Sequence, residues 1–423
     1  MSRRDDPADL LHFPWEMMET FIAGRSGIDI PRLYVRDLED AKAFLLSYGY
    51  DVDRAEHRRE MEAIRLESLE FIDDLLSDEP DITIAQAIRD ETDVPRLLRL
   101  ASRSQRDDLQ RSACSVLRVM HTFAHCGSYF QEQYEDQIRT QILDRFQPHI
   151  HTLPDGTRTL GRGPEAIPLE DFQLRGRKSR RSLAMKLLHK AENVAADVFD
   201  WLGVRFVTKH RFDTLLVVKY LRENHVVMFA HVKPGRSRNT LVDLDAVRGE
   251  MRDVSDDVRA GELAEFERWS ALRDRVSRTE FPGSPEPTYN PYSSVAYHSI
   301  QFTCSQQILV PNPHLGMLEH VVTQPARATS MRKVLERLGV HTEVRFFFPY
   351  EVQIMDAAAY ERSRSGLASH DVYKARQRHA VKRRLWGDRI SDTPPSLQAI
   401  DTGVHDELTT AELESLDARV PQR

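Results

Sequence analysis

The sequence predicts a mixed α/β protein in which an all-helical N-terminal domain precedes a domain of alternating strands and helices. In residues 1–150, apolar residues recur at the spacing of an α-helix. After about residue 170, short β-rich apolar runs alternate with helical segments, which is typical of an α/β sheet domain. Of the 423 residues, 40% are hydrophobic and 30% are charged, so the chain as a whole is expected to fold.

The N-terminal domain is expected to consist of four main helices. The first of these has Asp37 at the position of an N-cap and Gly49 as a C-terminal stop. Residues 147–170 are rich in Pro and Gly and predict either a hairpin or a linker, the latter over 151–170. The apolar spacing predicts the helices at 38–48, 55–77, 104–126 and 129–146.

The second domain is expected to cover residues 171–387, and the charged stretch 240–278 predicts a helical insertion in it. Pro349 interrupts the last predicted strand and indicates an edge strand or a bulge there. Residues 388–423 lose all periodicity and are expected to form a flexible tail. Helices are predicted at 179–191, 212–223 and 327–338, and strands at 203–208, 225–233, 298–303, 306–310 and 343–355.

Composition restricts the functional classes and the location. The formal net charge of −7 argues against a general nucleic-acid coat, although a local basic site remains compatible with it. The three cysteines have no CxxC spacing, which excludes a disulfide framework and a cysteine zinc site. We find neither the apolar core of a signal peptide nor an apolar run long enough to cross a bilayer. A cytoplasmic protein without a membrane association is therefore expected.

The segment from Arg175 to Lys190 contains seven Lys/Arg residues and no acid. Lys178, Ser182 and Lys186 follow one another at i, i+4 and i+8, so they share one helix face. Two ammonium groups and a hydroxyl near a helix start are suited to binding a polyphosphate. A solvated basic helix face explains the same pattern without a ligand.

Two acidic positions beside predicted strands are candidate metal ligands. Asp200 precedes the strand that contains Arg205, and a carboxylate at a strand end is a usual place to hold Mg²⁺. Glu351 lies in the last strand, where it is a second candidate ligand or a general base, with Gln353 on the same face. The alternatives are a turn cap for Asp200, a structural ion pair for Arg205 and a solvated strand face for Glu351.

A third candidate feature is the alternation of Tyr297, Ser299 and Gln301 on one face of a predicted strand. A tyrosine flanked by small polar groups is suited to stacking on a nucleobase. An ordinary half-exposed strand is the alternative.

The order of these motifs resembles the synthetase domain of the RelA/SpoT family. The motifs are K-S-x-x-S-x-x-x-K, D-x-x-G-V-R, A-Y-H-S-I and E-V-Q-I, followed by SGLASHDVYK at residues 365–374. The resemblance implies a nucleotidyltransferase-like mixed sheet flanked by helices. It also implies the activity of an alarmone synthetase of the stringent response, which transfers pyrophosphate from ATP to the 3′-hydroxyl of GDP or GTP with Mg²⁺.

Carried over position by position, the resemblance implies a donor site and an acceptor site. Lys178, Ser182 and Lys186 would bind the ATP phosphates, with Arg177 close by. The implied metal ligands are Asp200 and Glu351; the implied supporting residues are Arg205 and Gln353; the implied acceptor-base contacts are Tyr297 and Ser299.

The sequence departs from the family most clearly on the acceptor side. The lysines that the family carries before the stacking tyrosine are absent, and Ala296 replaces a Gly. The resemblance implies GDP or GTP as the acceptor, but the loss of these cations should weaken the binding of a guanosine polyphosphate. The alternatives are a different nucleotide or an RNA 3′ end such as that of tRNA, to which the basic cluster 374–384 could bind. The other readings are a catalytically inactive nucleotide-binding module and an interaction scaffold, and each is compatible with a homo-oligomer. His121 and His125 have i, i+4 spacing but no HExxH glutamate, which favours a core or interface role over zinc binding. Residues 1–165 contain no adjacent His-Asp pair of the kind that the family's hydrolase domain needs, so no alarmone hydrolysis is expected.

Overall fold

A computed structural model describes residues 18, 20, 22–23, 26–126, 134–175, 179–189, 202–279, 297–312, 333–334, 337, 343–364 and 370–391. Over these residues the chain is a mixed α/β protein with twelve α-helices and one seven-stranded mixed sheet. It divides into two compact units. The first unit comprises residues 1–128, 178–198 and 371–401, and the second comprises residues 129–177, 199–370 and 402–423.

The described elements of the first unit are helical. Its α-helices are α1 (Leu38–Tyr48), α2 (Ala55–Leu75), α3 (Gln86–Arg89), α4 (Val94–Ala101), α5 (Asp108–His125), α7 (Arg180–His189) and, except for its first residue, α12 (His370–Trp386). The predicted boundaries of α1 are confirmed. The Asp37 carboxylate accepts a hydrogen bond from the Asp40 N–H at 2.8 Å, and Gly49 ends the helix with φ of 113°, a left-handed conformation that favours glycine.

The second unit contains the sheet. Its strands are β1 (Ile150–Thr152), β2 (Arg158–Leu160), β3 (Ile167–Arg175), β4 (Gly203–Thr208), β5 (Val232–Asn239), β6 (Ile300–Pro311) and β7 (Glu343–Asp356), in the order β1-β2-β3-β4-β7-β6-β5. Only β4 and β7 pair in parallel among these strands. Its α-helices are α6 (Glu135–Phe146), α8 (Arg211–Glu223), α9 (Leu244–Ala260), α10 (Arg268–Ser277) and α11 (Ala357–Arg364).

The Pro- and Gly-rich segment 147–170 forms a hairpin, the first of its two sequence interpretations. Strands β1 and β2 pair in antiparallel fashion, and the Leu153 N–H donates to the Thr157 carbonyl at 2.8 Å across the turn. Gly156 lies in this turn with φ of 88°, which a residue with a side chain rarely adopts. Strand β3 then pairs with β2, so the segment extends the sheet.

Several predicted strands have different bounds in the structure. The β-rich run 225–233 is mostly a turn with a 3₁₀ helix at Phe229–His231, and β5 begins at Val232. The two strands predicted over 298–310 are the single strand β6. Pro349 pairs with Ser305 on the β6 side, whereas β4 pairs with β7 only from Glu351 onward, so Pro349 lies where β7 is an edge. Most of the predicted helix 327–338, and the predicted tail beyond Ser391, lie outside the described residues.

The two faces of the central strands differ in character. On one face the ring of Phe206 lies 6.1 Å from that of Phe146 on α6 and 5.1 Å from that of Phe172 on β3. On the other face, Val207 and Met355 belong to a buried apolar cluster with Phe212 and the predicted helical insertion, which forms α9 and α10. Side chains alternate along a strand, so residues two positions apart lie on the same face. Arg205 and Gln353, which are polar, therefore lie on this second face with Val207 and Met355.

Candidate functional site

Four polar residues lie in register across four adjacent strands of the second unit. Gln173 on β3 pairs with Arg205 on β4, Arg205 with Gln353 on β7, and Gln353 with Gln301 on β6. We call these four residues the polar row. Register of this kind places their side chains on the same face of the sheet.

Hydrogen bonds connect the polar row to Glu351. The Arg205 guanidinium donates to the amide oxygen of Gln353 at 3.0 and 3.2 Å and to that of Gln173 at 3.3 Å. The Gln353 amide N–H donates to Glu351 Oε2 at 2.9 Å, and the Gln301 amide donates to Glu351 Oε1. The Gln353 amide therefore directs its oxygen toward the Arg205 cation and its N–H toward the Glu351 anion.

The charged members of this network are buried. Glu351 is 7% exposed, Arg205 is 8% exposed and Gln353 is 6% exposed. A charge at such a depth is costly unless it is hydrogen-bonded, and the network supplies those bonds. Tyr360 on α11 covers its β3 end: the Tyr360 hydroxyl lies 2.6 Å from the Gln173 amide nitrogen, and its ring centroid lies 5.7 Å from the Arg205 guanidinium carbon.

Glu351 fits the role of a Mg²⁺ ligand by its chemistry. Mg²⁺ is usually held by one or two carboxylates together with water and substrate phosphates. Each oxygen of Glu351 accepts an N–H from a glutamine amide, and such contacts orient a ligating carboxylate. Within the described residues, no group of three or more His, Cys, Asp and Glu side chains is placed to hold a metal ion.

Tyr297 and Ser299 lie just before β6, which begins at Ile300. Ser299 is buried, and its N–H donates to the Thr240 hydroxyl at 3.0 Å while its carbonyl accepts the Thr240 N–H at 3.0 Å. Tyr297 is half-buried and packs against the apolar cluster that contains Val207. The backbone next to Tyr297 is thus anchored.

Helix α7, which carries Ser182 and Lys186, belongs to the first unit. The Ser179 hydroxyl accepts the Ser182 N–H at 3.2 Å and caps the helix. Ser182 is exposed and Lys186 is half-buried, whereas Leu183 and Leu187 are buried. Arg180 binds Glu67 at 2.7 Å, and Arg181 binds Glu70 at 2.7 Å, so two cations of the basic segment hold α7 to α2.

Three predicted site residues fall outside the described part of the chain. They are Arg177, Lys178 and Asp200. Their assignment as phosphate-binding and metal-binding residues stays a prediction.

The basic cluster 374–384 lies on α12 of the first unit. Lys382 is 3% exposed, and its ammonium group binds Asp78 and Glu79. Arg378 binds Asp74 at 3.1 Å, and Arg384 binds Asp29. Half of the six cations in the cluster are therefore neutralised by carboxylates of the same unit.

His121 and His125 surround the Tyr48 hydroxyl in the first unit. This hydroxyl lies 2.7 Å from Nδ1 of His121 and 3.3 Å from Nδ1 of His125, and the imidazole centroids are 4.4 Å apart. Burial, and secondarily the neighbouring His125, lowers the pKa of His121 to about 4. The contacts of the two imidazoles with Tyr48 thus join α5 to the end of α1.

Three residues in or next to the polar row could not be picked out from the sequence. Gln173 and Tyr360 were not singled out, although Asp171 and Gln173 alternate with Phe172 and Leu174 along β3. Arg238 on β5 pairs with Gln301 and so extends the polar row by one strand. Its strand was predicted too early in the chain, which hid this position.

The chain was compared with known protein families and with curated proteins. No known family model matches the chain, and no curated protein is significantly similar to it. Among the helices that the structure describes, none combines the length and the apolar character that crossing a bilayer requires.

Proposed function

We propose that the protein is a nucleotidyltransferase-like enzyme that transfers a pyrophosphoryl group from ATP to the 3′-hydroxyl of an acceptor nucleotide. The observation that carries the proposal is the buried carboxylate of Glu351, held by two glutamine amides beside the guanidinium of Arg205. The order of motifs that resembles the RelA/SpoT family supports the same reaction. In this reaction the 3′-oxygen attacks the β-phosphorus of ATP, the bond from that phosphorus to the α-phosphate oxygen breaks, and AMP leaves.

The residues of the polar row position and polarise Glu351. Glu351 accepts the proton of the acceptor hydroxyl at a carboxylate oxygen, or binds Mg²⁺ through the same atoms. Bound Mg²⁺ would neutralise the developing charge on the phosphate oxygens. Arg205 orients Gln353, which in turn orients Glu351, while Tyr297 stacks on the acceptor base.

The first experiment measures AMP formation from ATP with Mg²⁺ and GDP, GTP or tRNA. Replacing one preorganised charged group usually lowers the rate by about 10² to 10³. We expect this loss for Glu351→Gln and less than about a twofold change for Glu343→Gln. Glu343 is the matched control because it lies at the exposed far end of the same strand. Equal rates for Glu351→Gln and the unchanged protein would show that the assigned role is wrong.

The donor half of the proposal concerns α7 and the residues before it. Ser182 and Lys186, with Arg177 and Lys178, are proposed to bind the ATP phosphates, and Asp200 is proposed as the second Mg²⁺ ligand. We expect Lys186→Ala to weaken ATP binding about tenfold, which corresponds to the loss of one charge-assisted contact. Arg181→Ala is the matched control on the same helix, since Arg181 binds Glu70. A similar loss in both variants would indicate a general effect of charge.

The second candidate function is a nucleotide-binding regulatory module without catalysis. The favouring observation is that both oxygens of Glu351 are satisfied by amides of the protein itself. Calorimetry would then show Mg²⁺-assisted ATP binding by a protein that forms no AMP with any of the three acceptors.

A further inference from the structure

Arg238 lies on β5, next to the Gln301 end of the polar row. It pairs with Gln301, which pairs with Gln353, so Arg238 lies in the same row two strands away from β7. With about 4.8 Å between neighbouring strands, its Cα lies roughly 10 Å from the β7 backbone. An extended arginine side chain covers most of that distance.

The guanidinium of Arg238 differs from other arginines of the second unit in its surroundings. Three other arginines there have carboxylate partners: Arg158 binds Asp171, Arg211 binds Asp356 and Arg273 binds Asp213. Within the described residues, Arg238 has no carboxylate at ion-pairing distance. Burial lowers its pKa, and the nearby Tyr297 phenol acts in the opposite direction. The arginine nevertheless stays charged, since its pKa is far above neutrality.

A half-buried cation is unfavourable where no anion compensates its charge, and the binding of an anion removes that cost. Tyr297, the residue proposed to stack on the acceptor base, lies near this strand, because the hydroxyl of Thr240, two residues after Arg238, donates to the Tyr297 carbonyl at 3.2 Å. The sequence lacks the family's lysines in front of this tyrosine. Arg238, on the different strand β5, would supply a cation in place of those lysines.

We propose that Arg238 binds a phosphate group of a free nucleoside polyphosphate acceptor whose base stacks on Tyr297. This inference rests on the proposed function, because it assigns the acceptor subsite of the same site. A free nucleotide is favoured over RNA. RNA binding generally uses many phosphate contacts, and half of the cations in the basic cluster 374–384 are already paired with carboxylates.

The experiment measures the dissociation constant of GDP by calorimetry for the full chain and three variants. We expect Arg238→Ala to weaken GDP binding about 10- to 100-fold, the usual loss for a charge-assisted contact. Arg238→Lys keeps the charge and should lose about threefold or less. Arg345→Ala, an exposed arginine on β7, is the control and should bind GDP as the unchanged protein does. The thermal midpoint of Arg238→Ala should stay within about 2 °C of the unchanged protein.

Several outcomes would overturn the inference. They are unchanged GDP binding by Arg238→Ala, an equal loss in Arg238→Lys, or a protein that binds tRNA through Arg238 and does not bind GDP. Failure of the proposed function is distinguishable, because GDP binding and AMP formation are separate measurements. GDP binding that depends on Arg238, in a protein that forms no AMP, supports the subsite and refutes the enzyme. AMP formation together with Arg238-independent GDP binding refutes only the subsite.

Discussion

The basic runs of the first unit and the polar row of the second unit hold their basic side chains in different ways. In the first unit, several cations of the two basic runs lie between helices and bind carboxylates, as Arg180 binds Glu67 and Lys382 binds Glu79. On the sheet of the second unit, Arg205 is held by glutamine amides. The runs of Lys and Arg in the sequence thus supply ion pairs between helices. Arg205, which stands alone in its strand, lies at the candidate site instead.

This difference follows from the burial of the partner groups, because the carboxylates that bind Arg180 and Lys382 are partly exposed, whereas Gln353 is buried. Ion pairs with an exposed or half-exposed partner usually contribute little stability. A buried guanidinium needs several well-placed acceptors, and amides can supply them without neutralising the charge.

The largest expected effect tests this contrast directly. Arg205→Leu removes the donor for the amide oxygens of the buried Gln353 and the half-buried Gln173, and it removes the cation that Gln353 links to Glu351. We expect a loss of about 3 to 5 kcal/mol in the free energy of unfolding, measured by guanidinium denaturation. Arg158→Leu on β2 removes an exposed ion pair and should cost at most about 1 kcal/mol. Equal losses in both variants would remove the distinction between the two kinds of arginine.

The second test concerns the buried cation of the first unit. Lys382→Met keeps the buried aliphatic stem, while Asp78 is largely exposed and Glu79 is one-third exposed, so both carboxylates regain water. We expect a loss of about 1 to 2 kcal/mol in the free energy of unfolding. A loss as large as that of Arg205→Leu would show that the first unit also depends on a buried charge network.

Much of the helical architecture could be predicted from the sequence because its signals are local. The Asp37 cap, the Gly49 stop and the apolar spacing between them lie within one segment of about a dozen residues. The sheet order could not be predicted in this way, since Arg205 and Gln353 pair across 148 residues. Strand β5 was misplaced for a related reason: it lies at the sheet edge, where its polar sequence VKPGRSRN needs no apolar alternation.

The candidate site was predictable in part for the same reason. Glu351, Gln353 and Arg205 could be named from short motifs within single strands. Gln173 and Arg238 enter the site only through strand register, which no local pattern specifies. The complete polar row could therefore be recognised only from the pairing of the strands in the structure.

A smaller effect is expected from pH in the first unit. The pKa of His121 in the folded state, about 4, is below its ordinary value of 6.5, so the folded ring stays neutral where the unfolded ring takes up a proton. Stability should therefore fall as the pH is lowered from about 6.5 to about 4, by roughly 1 kcal/mol after allowing for the exposed part of the ring. His121→Gln removes this titration, and its stability should change less with pH over that range. Parallel pH profiles for the two proteins would assign the acid sensitivity to other groups.

The smallest effect compares an exposed amide with the buried amides of the polar row. Gln141 on α6 donates to the Leu309 carbonyl at 2.7 Å and accepts the Leu309 N–H at 3.1 Å, so its amide covers an edge of β6 beyond the end of β5. Water can replace both bonds, because they are exposed. We expect Gln141→Ala to cost about 0.5 to 1 kcal/mol and to increase hydrogen exchange at Leu309 locally. Gln353→Ala removes a buried amide between Arg205 and Glu351 and should lower the free energy of unfolding several times more. A similar loss in both variants would show that burial does not determine how much these amides contribute to stability.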